Sequence, residues 1–233
     1  MARFLVEVML AWPMRRKHLA MALSRLPAHP QRSAALEQYA TDGEVAATWL
    51  CAIRDNGDFV VEDDEVENHE RAANVVDLGA GNGVLGLAAL LCGARHATLV
   101  EIDDESCDTA ANAAEVLELS DCITIVRDRI MGEWPKSWQS ESGECDLIIM
   151  NPPWGKQTLH ADRAFLNSAF ASPANIIHLL HSSKATHIES AAEAAGWTAL
   201  RWLEDELPLP ATYSHHTQRR GVTGCAMWRI TRT

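Results

Sequence analysis

The sequence predicts an α/β fold: a doubly wound, mostly parallel seven-stranded sheet behind an N-terminal helical cap. Three observations predict it. From residue 74 onward, short apolar runs alternate with helical runs, the pattern of a parallel sheet covered on both faces by helices. A glycine-rich turn joins the first of these strands to its helix. The chain has 233 residues, 47% of them hydrophobic, enough for one sizeable core.

The elements follow in order. Leu19, Ala22, Leu23 and Leu26 recur at helical spacing, so residues 15–26 read as an amphipathic helix, stopped by Pro27 and Pro30. Asp42 is an N-cap for a helix over 43–54 that sets Val45, Ala46, Trp49, Leu50 and Ile53 on one face. Glu62, Asp63, Asp64, Glu65, Glu67 and Glu70 crowd into nine residues, so Asp55 to Arg71 reads as a solvated acidic loop. Residues 74–78 form the first strand, and 84–92 the helix after the glycine turn, ended by Gly93. Strand 97–102 and helix 104–117 follow, then strands 123–126 and 146–150. A helix over 161–171 and a strand over 175–180 come next, then a helix over 183–195 with a serine cap. The strands 198–203 and 225–230 close the chain with no helix between them, so they form an antiparallel pair. The organisation is a helical extension over 1–54, an acidic loop over 55–73 and an α/β core over 74–233.

Composition narrows the function. Twenty Lys and Arg against 32 Asp and Glu give a net charge of −12. That excludes a strongly basic nucleic-acid binder but not a local basic patch. The six cysteines include no Cys-x-x-Cys pair, which argues against a zinc knuckle. Most lie in apolar runs, as buried thiols of a reducing compartment do. No run of about 18 apolar residues exists to span a membrane. The apolar start, Met1 to Pro13, carries Glu7 and lacks a cleavage site for secretion. Met14-Arg15-Arg16-Lys17 would serve as an alternative start. A cytoplasmic protein is expected, or a nuclear one in a eukaryote.

Asp77-Leu78-Gly79-Ala80-Gly81-Asn82-Gly83 sits between a strand and a helix, where only glycine lets backbone approach a ligand without a Cβ clash. Glu101 ends the next strand 24 positions after Asp77, where a ribose diol needs an acceptor. The pair reads as a nucleotide site. Asp77 precedes the first glycine, where a carboxylate would repel a pyrophosphate and favour the amine and sulfonium of S-adenosylmethionine. Asp128, after the third strand, faces the adenine amine on this reading.

Asn151-Pro152-Pro153-Trp154 follows the fourth strand, on the same edge as the glycine turn. Two prolines fix the backbone and remove donors. The Asn151 side-chain oxygen and the Pro152 carbonyl then converge as two acceptors for a planar exocyclic amine. Trp154 offers a face for stacking a base drawn from its helix.

Asp-x-Gly-x-Gly-x-Gly followed by Asn-Pro-Pro-aromatic resembles the class I S-adenosylmethionine-dependent amino-methyltransferases, with their Rossmann-like sheet. Glu37-Gln38-Tyr39-x-Thr41, Met150-Asn151-Pro152-Pro153-Trp154-Gly155 and Leu207-Pro208-x-Pro210-Ala211-x-Tyr213 resemble the methyltransferase-like protein five family and its archaeal relatives. The resemblance covers about residues 14–230 and implies methylation of adenine N6 in small-subunit ribosomal RNA, with S-adenosylhomocysteine as the second product. It implies that Gln38 and Thr41 cover the cofactor and that Gly79 and Asn82 line its amino-acid end, with Gly81 and Gly83 completing the loop. It implies that Glu101 holds ribose, that Asp128 meets adenine, and that Asn151, Pro152, Pro153 and Trp154 hold the target base. Trp154 stands where Phe is commoner. Where the family carries a lysine run, this sequence has His215, His216, Arg219 and Arg220, which with Lys156 and Trp154 are the candidate RNA contacts. Relatives also pair through their third strand, here Ile123 to Val126, with a small zinc-binding activator that adds a strand.

Two other functions share these motifs. One is methylation of a glutamine amide in a translation release factor; the other is a silent cofactor-binding scaffold in ribosome assembly. His178, His181, His187, His215 and His216 fit no tight metal-ligand spacing, so no metal is expected. No Gly-x-Ser-x-Gly surrounds Ser182 or Ser183, so no nucleophile elbow is expected.

Overall fold

The computed structural model describes residues 14–27, 41–62, 69–138, 145–154, 160–208 and 222–233. Its helices are α1 (Arg16–Leu23), α2 (Gly43–Asp55), α3 (Val84–Leu91), α4 (Asp104–Val116), α5 (Arg163–Ala171) and α6 (Ile188–Ala194). Its strands are β1 (Val60–Glu62), β2 (Glu70–Ala72), β3 (Asn74–Leu78), β4 (His96–Glu101), β5 (Ile123–Arg127), β6 (Leu147–Met150), β7 (Ile176–Ser182), β8 (Trp197–Pro208) and β9 (Val222–Arg232).

Seven strands form one sheet in the order β5-β4-β3-β6-β7-β9-β8. The first five are parallel, and β9 runs antiparallel to both β7 and β8. The order reverses between β3 and β6, and a ligand crevice opens beyond the carboxyl ends of strands at such a point. Side chains alternate between two cores. Leu147 and Ile149 of β6 face α2 and α3, whereas Ile148 and Met150 face the side of α5 and α6. The helical cap is no separate unit. Leu19, Ala20 and Leu23 of α1 and Trp49, Leu50 and Ile53 of α2 share one core with Val75, Leu87 and Leu99.

Local sequence sets the helix starts. Asp42 accepts the Glu44 N–H at 2.9 Å and caps α2. Asp103 caps α4 through the Ser106 N–H at 2.8 Å, with Asp104 and Glu105 in the first turn favoured by the helix dipole.

Two expectations need correction. The acidic stretch is not loop throughout: β1 and β2 pair antiparallel, Val60 opposite Ala72. Asp58, ahead of them, is buried, with its carboxylate on Arg229 Nε and Nη2 at 2.8 Å each and on His178 Nε2 at 2.8 Å. Charge density alone could not reveal partners 120 and 171 positions away. The last core helix starts at Ile188, after His187, with no side-chain cap. β7 runs on to Ser182, and Ser183 and Lys184 make a turn, because pairing with β9 extends to Ser182 opposite Cys225. All six cysteines are free thiols and only Cys122 is not buried. Among the described residues no helix is long and apolar enough to cross a membrane.

Candidate active site

Register brings the two motifs together. Leu78 of β3 lies opposite Met150 of β6, so Gly79 and Asn151 leave adjacent parallel strands side by side. Leu78 also lies opposite Val100 of β4, and Glu101 opposite Arg127 of β5. Thus the glycine loop, Glu101, Asp128 and the Asn151 turn share one edge of the sheet.

The loop needs its glycines. Gly79, Gly81 and Gly83 have φ of 75°, 54° and 78°, left-handed values that cost an L-residue roughly 1–2 kcal/mol each. A Cβ on Gly79 would stand 2.7 Å from Cε1 of Phe165. Glu101 fastens the loop: Oε2 accepts the Gly81 N–H at 2.9 Å, and Oε1 accepts the N–H groups of Ile102 and Asp103 at 2.8 and 3.0 Å. Asp77 lies beneath the loop rather than along it. It is 1% exposed, and its Oδ2 accepts the Gly86 N–H at 2.9 Å. Its Oδ1 is buried with no hydrogen-bond partner. Burial raises its pKa to about 7; the Gly86 N–H opposes the rise and the charge of Glu101 adds to it.

Asn82 turns its amide to the cap, donating to the Pro27 carbonyl at 3.1 Å. Asp128 is held at both oxygens, by the Arg129 N–H at 2.7 Å and by Trp138 Nε1 at 2.9 Å. Trp138 is buried and stands edge-on to Trp134, their centroids 5.5 Å apart. This gives two tryptophans a role the sequence did not assign.

At the second motif, Asn151 Nδ2 donates to Thr41 Oγ1 at 3.0 Å. Its Oδ1 accepts Trp154 Nε1 at 3.1 Å. The amide is therefore oriented from both ends. Pro152 is buried, and Pro153 and Trp154 are half-buried. Trp154 stacks on His181, with centroids 6.0 Å apart and planes 23° apart.

His181 belongs to a cluster that sequence spacing did not show. Asp162 Oδ2 lies 3.1 Å from His181 Nε2 and 2.6 Å from His187 Nε2. Burial pushes Asp162 upward, but the bonds to His181 and His187 outweigh it and hold its pKa at about 2. The ligand-type atoms of the three residues lie within 4.8 Å of one another, a spacing that could hold a cation. However, His181 Nδ1 accepts the Ser182 N–H at 2.9 Å, so Nε2 carries the proton and donates it to Asp162. The signal missed was Asp162, a carboxylate just ahead of α5.

The pieces fit S-adenosylmethionine. The glycine loop leaves β3 in left-handed geometry, Glu101 ends β4, and Asp77 keeps an orphaned buried acceptor. Thr41, expected over the cofactor, hydrogen-bonds Asn151. Gln38, Lys156, His215, His216, Arg219 and Arg220 lie outside the described residues.

The sequence profile of a family described as conserved hypothetical protein 95 matches residues 64–201. An uncharacterised protein of Methanocaldococcus jannaschii is 32% identical over 221 residues, 93% of this chain and 94% of its own. The rRNA N(6)-adenosine-methyltransferase METTL5 of Danio rerio is 28% identical over 210 residues, 88% of this chain and 93% of that one. A crystal structure from Pyrococcus horikoshii, described as a "putative RNA methyltransferase", superposes with a TM-score of 0.78 at 29% identity. It covers 94% of this chain and 98% of its own.

Proposed function

The chain belongs to the conserved hypothetical protein 95 family, whose profile spans more than half of it, and from that premise we propose that it methylates adenine N6 in small-subunit ribosomal RNA. One observation carries the reading: Leu78 pairs with Met150, which sets the Asn-Pro-Pro-Trp turn beside the glycine loop. The full-length similarity to a ribosomal RNA adenosine N6-methyltransferase supports the substrate class.

S-adenosylmethionine supplies an electrophilic methyl on a sulfonium. The chain's task is to aim a poor nucleophile at it, because the N6 lone pair is delocalised into the adenine ring. Asn151 Oδ1 and the Pro152 carbonyl accept the two N6 hydrogens and favour a pyramidal nitrogen. Thr41 and Trp154 fix the Asn151 amide in that orientation. Trp154, backed by His181, is the aromatic wall for the base. Neither acceptor is basic, so acceleration comes from positioning and exclusion of water. The proton leaves to solvent after methyl transfer. Gln38 and Thr41 cover the cofactor, Glu101 takes the ribose diol and Asp128 the adenine amine of the donor. Lys156, His215, His216, Arg219 and Arg220 add contacts to RNA.

The outer edge of β5 is the place for a small zinc-binding activator that adds a strand. It is the end strand of the sheet, and Ile123 and Ile125 are half-buried. The setting is the cytoplasm, or the nucleus of a eukaryotic cell, where ribosomal RNA is accessible.

The test is incubation with methyl-labelled S-adenosylmethionine and ribosomal RNA, then digestion to nucleosides. N6-methyladenosine is expected. Label in a release-factor glutamine would replace this reading with protein methylation. Cofactor binding without turnover on either would leave a scaffold.

A further inference from the structure

Residues 8–36 contain no Asp or Glu, yet they hold Arg15, Arg16, Lys17, Arg25 and Arg32. The whole chain carries 32 acidic and 20 basic residues, so this segment runs against the molecule's balance. In its described part, α1 buries Leu19, Ala20 and Leu23 and exposes Lys17, His18 and Met21, with Arg15 and Arg25 exposed just before and after the helix. Arg16 is engaged elsewhere, 3.3 Å from Glu44 Oε2 and 3.4 Å from Thr48 Oγ1. Arg15 and His18 are three apart on one side of the helix. Arg25 prolongs that side, because the turn continues past Leu23 through the Arg25 N–H on Ala22 O at 3.2 Å.

Placement gives this stripe a direction. Asn82 of the glycine loop donates to the Pro27 carbonyl, two residues beyond Arg25. Thr41, where the described chain resumes, holds Asn151. The stripe therefore leads from solvent to the edge where the glycine loop and the Asn151 turn meet. At helical rise, the eight residues of α1 extend for roughly 12 Å, enough with the flanking Arg15 and Arg25 to meet neighbouring phosphates of one strand. The stripe shows one half-exposed apolar side chain, Met21 at 48%, too little for insertion into a bilayer.

We infer that the exposed face of α1 and its flanks, through Arg15, Lys17 and Arg25, docks the phosphate backbone of the RNA whose adenine enters the site. The inference rests on the function proposed above. It gives an acidic protein a local means of holding a polyanion, with phosphate contacts setting register and the Asn151 turn reading the base.

The experiment compares the full chain with a triple variant, Arg15→Gln, Lys17→Gln and Arg25→Gln, and with the matching triple Glu variant. Filter binding of ribosomal RNA between 50 and 200 mM salt reads the charge contribution. Each phosphate contact adds roughly 0.7–0.9 to the slope of log K against log salt, so the Gln variant should lose about 2. KM for RNA should rise about tenfold or more, further in the Glu variant, with kcat and cofactor affinity unchanged. Unchanged cofactor affinity also reports an intact fold. Equal slopes and equal KM in all three proteins would overturn the inference while leaving the methyltransferase reading standing. A steep slope lost in the variants, with no methyladenosine formed by the wild type, would sink that reading and spare the docking face. A wild type that binds no RNA overturns both. So, for the docking face, would variants altered only in binding to phosphatidylserine vesicles.

Discussion

Asp77 is held where its charge is costly, with Oδ2 on the Gly86 N–H and Oδ1 buried and unpaired. With a pKa raised by burial to about 7, it is neutral below that pH and ionised above it. The sign for stability follows. A carboxyl whose folded pKa exceeds its unfolded value of about 3.9 contributes fully below that value. The contribution is lost as pH rises through about 7. Cofactor binding has the opposite sign, because a sulfonium and an amine favour the ionised carboxylate. Affinity for S-adenosylmethionine should therefore climb from pH 6 to 8, and Asp77→Asn should flatten the curve at weak affinity. Calorimetry across that range decides; a flat wild-type curve would place the cation away from Asp77. The sequence offers Asp77 as a charge partner for the cofactor but does not show that its carboxylate is buried against Gly86 of α3. Glu101 was likewise legible as an acceptor at a strand end. Its three backbone N–H partners appear only once the chain folds.

At the scale of elements, the Asn151 turn depends on supports from α5, β7 and α6. Trp154 rests on His181, which donates to Asp162, which also binds His187. Replacing His181 with Ala removes the surface that orients Trp154. Small misplacements of a reacting group cost up to about 100-fold, so turnover should fall about 10- to 100-fold while cofactor affinity holds. Stopped-turnover assays with separate cofactor titration check this; full turnover in His181→Ala would free Trp154 from that support. Spacing could not reveal the cluster, because its members stand 19 and 25 positions apart and meet only when β7 reaches the loop before α5. The Asp58 network makes the same point for stability. Burial raises the pKa of Asp58, but Arg229 and His178 outweigh it and hold the carboxyl well below the usual range. A depressed pKa contributes stability above the unfolded value of about 3.9 and loses it as pH falls below that. Asp58→Ala leaves Arg229 without its carboxylate and buried His178 without its hydrogen-bond partner, and breaking a buried ion pair costs about 3–5 kcal/mol. Arg229 is 27% exposed and can rehydrate, so the lower end is expected. Urea melts at pH 7 and pH 3 should show a wild-type advantage that shrinks in acid; equal melts would show that the network adds nothing to stability.

At the scale of the molecule, the parallel sheet and its helical cover on both faces followed from the alternation of apolar runs with helices, and the antiparallel β8–β9 pair from the missing helix between them; the strand order did not. The sharing of one core by α1, α2 and α3 did not follow, because an amphipathic helix shows that it has a partner but not which one. The parallel order leaves β5 at an end of the sheet, and among the described residues no strand pairs with its outer side. Which of its donors face outward follows from one bond. The Asp128 N–H donates to the Glu101 carbonyl at 3.0 Å, so by the period of two the N–H groups of Val126 and Thr124 also face β4. Those of Ile123, Ile125 and Arg127 face away. Proline at Thr124 would thus break the ladder to β4, whereas Ile125→Pro removes an outward donor and keeps that ladder. Ile125 is half-buried, so its loss also costs packing; Ile123→Pro, at the first position of the strand, is the gentler companion. Co-expression with a small zinc-binding activator should yield a complex with the wild type and none with either proline variant, while cofactor affinity of the isolated variants stays near wild type. Hydrogen exchange should slow at Ile123, Ile125 and Arg127 on complex formation and stay unchanged at Thr124 and Val126. A wild-type chain whose outward amides are already protected when alone, and which methylates RNA at full rate without a partner, would show that the edge is closed by the protein itself.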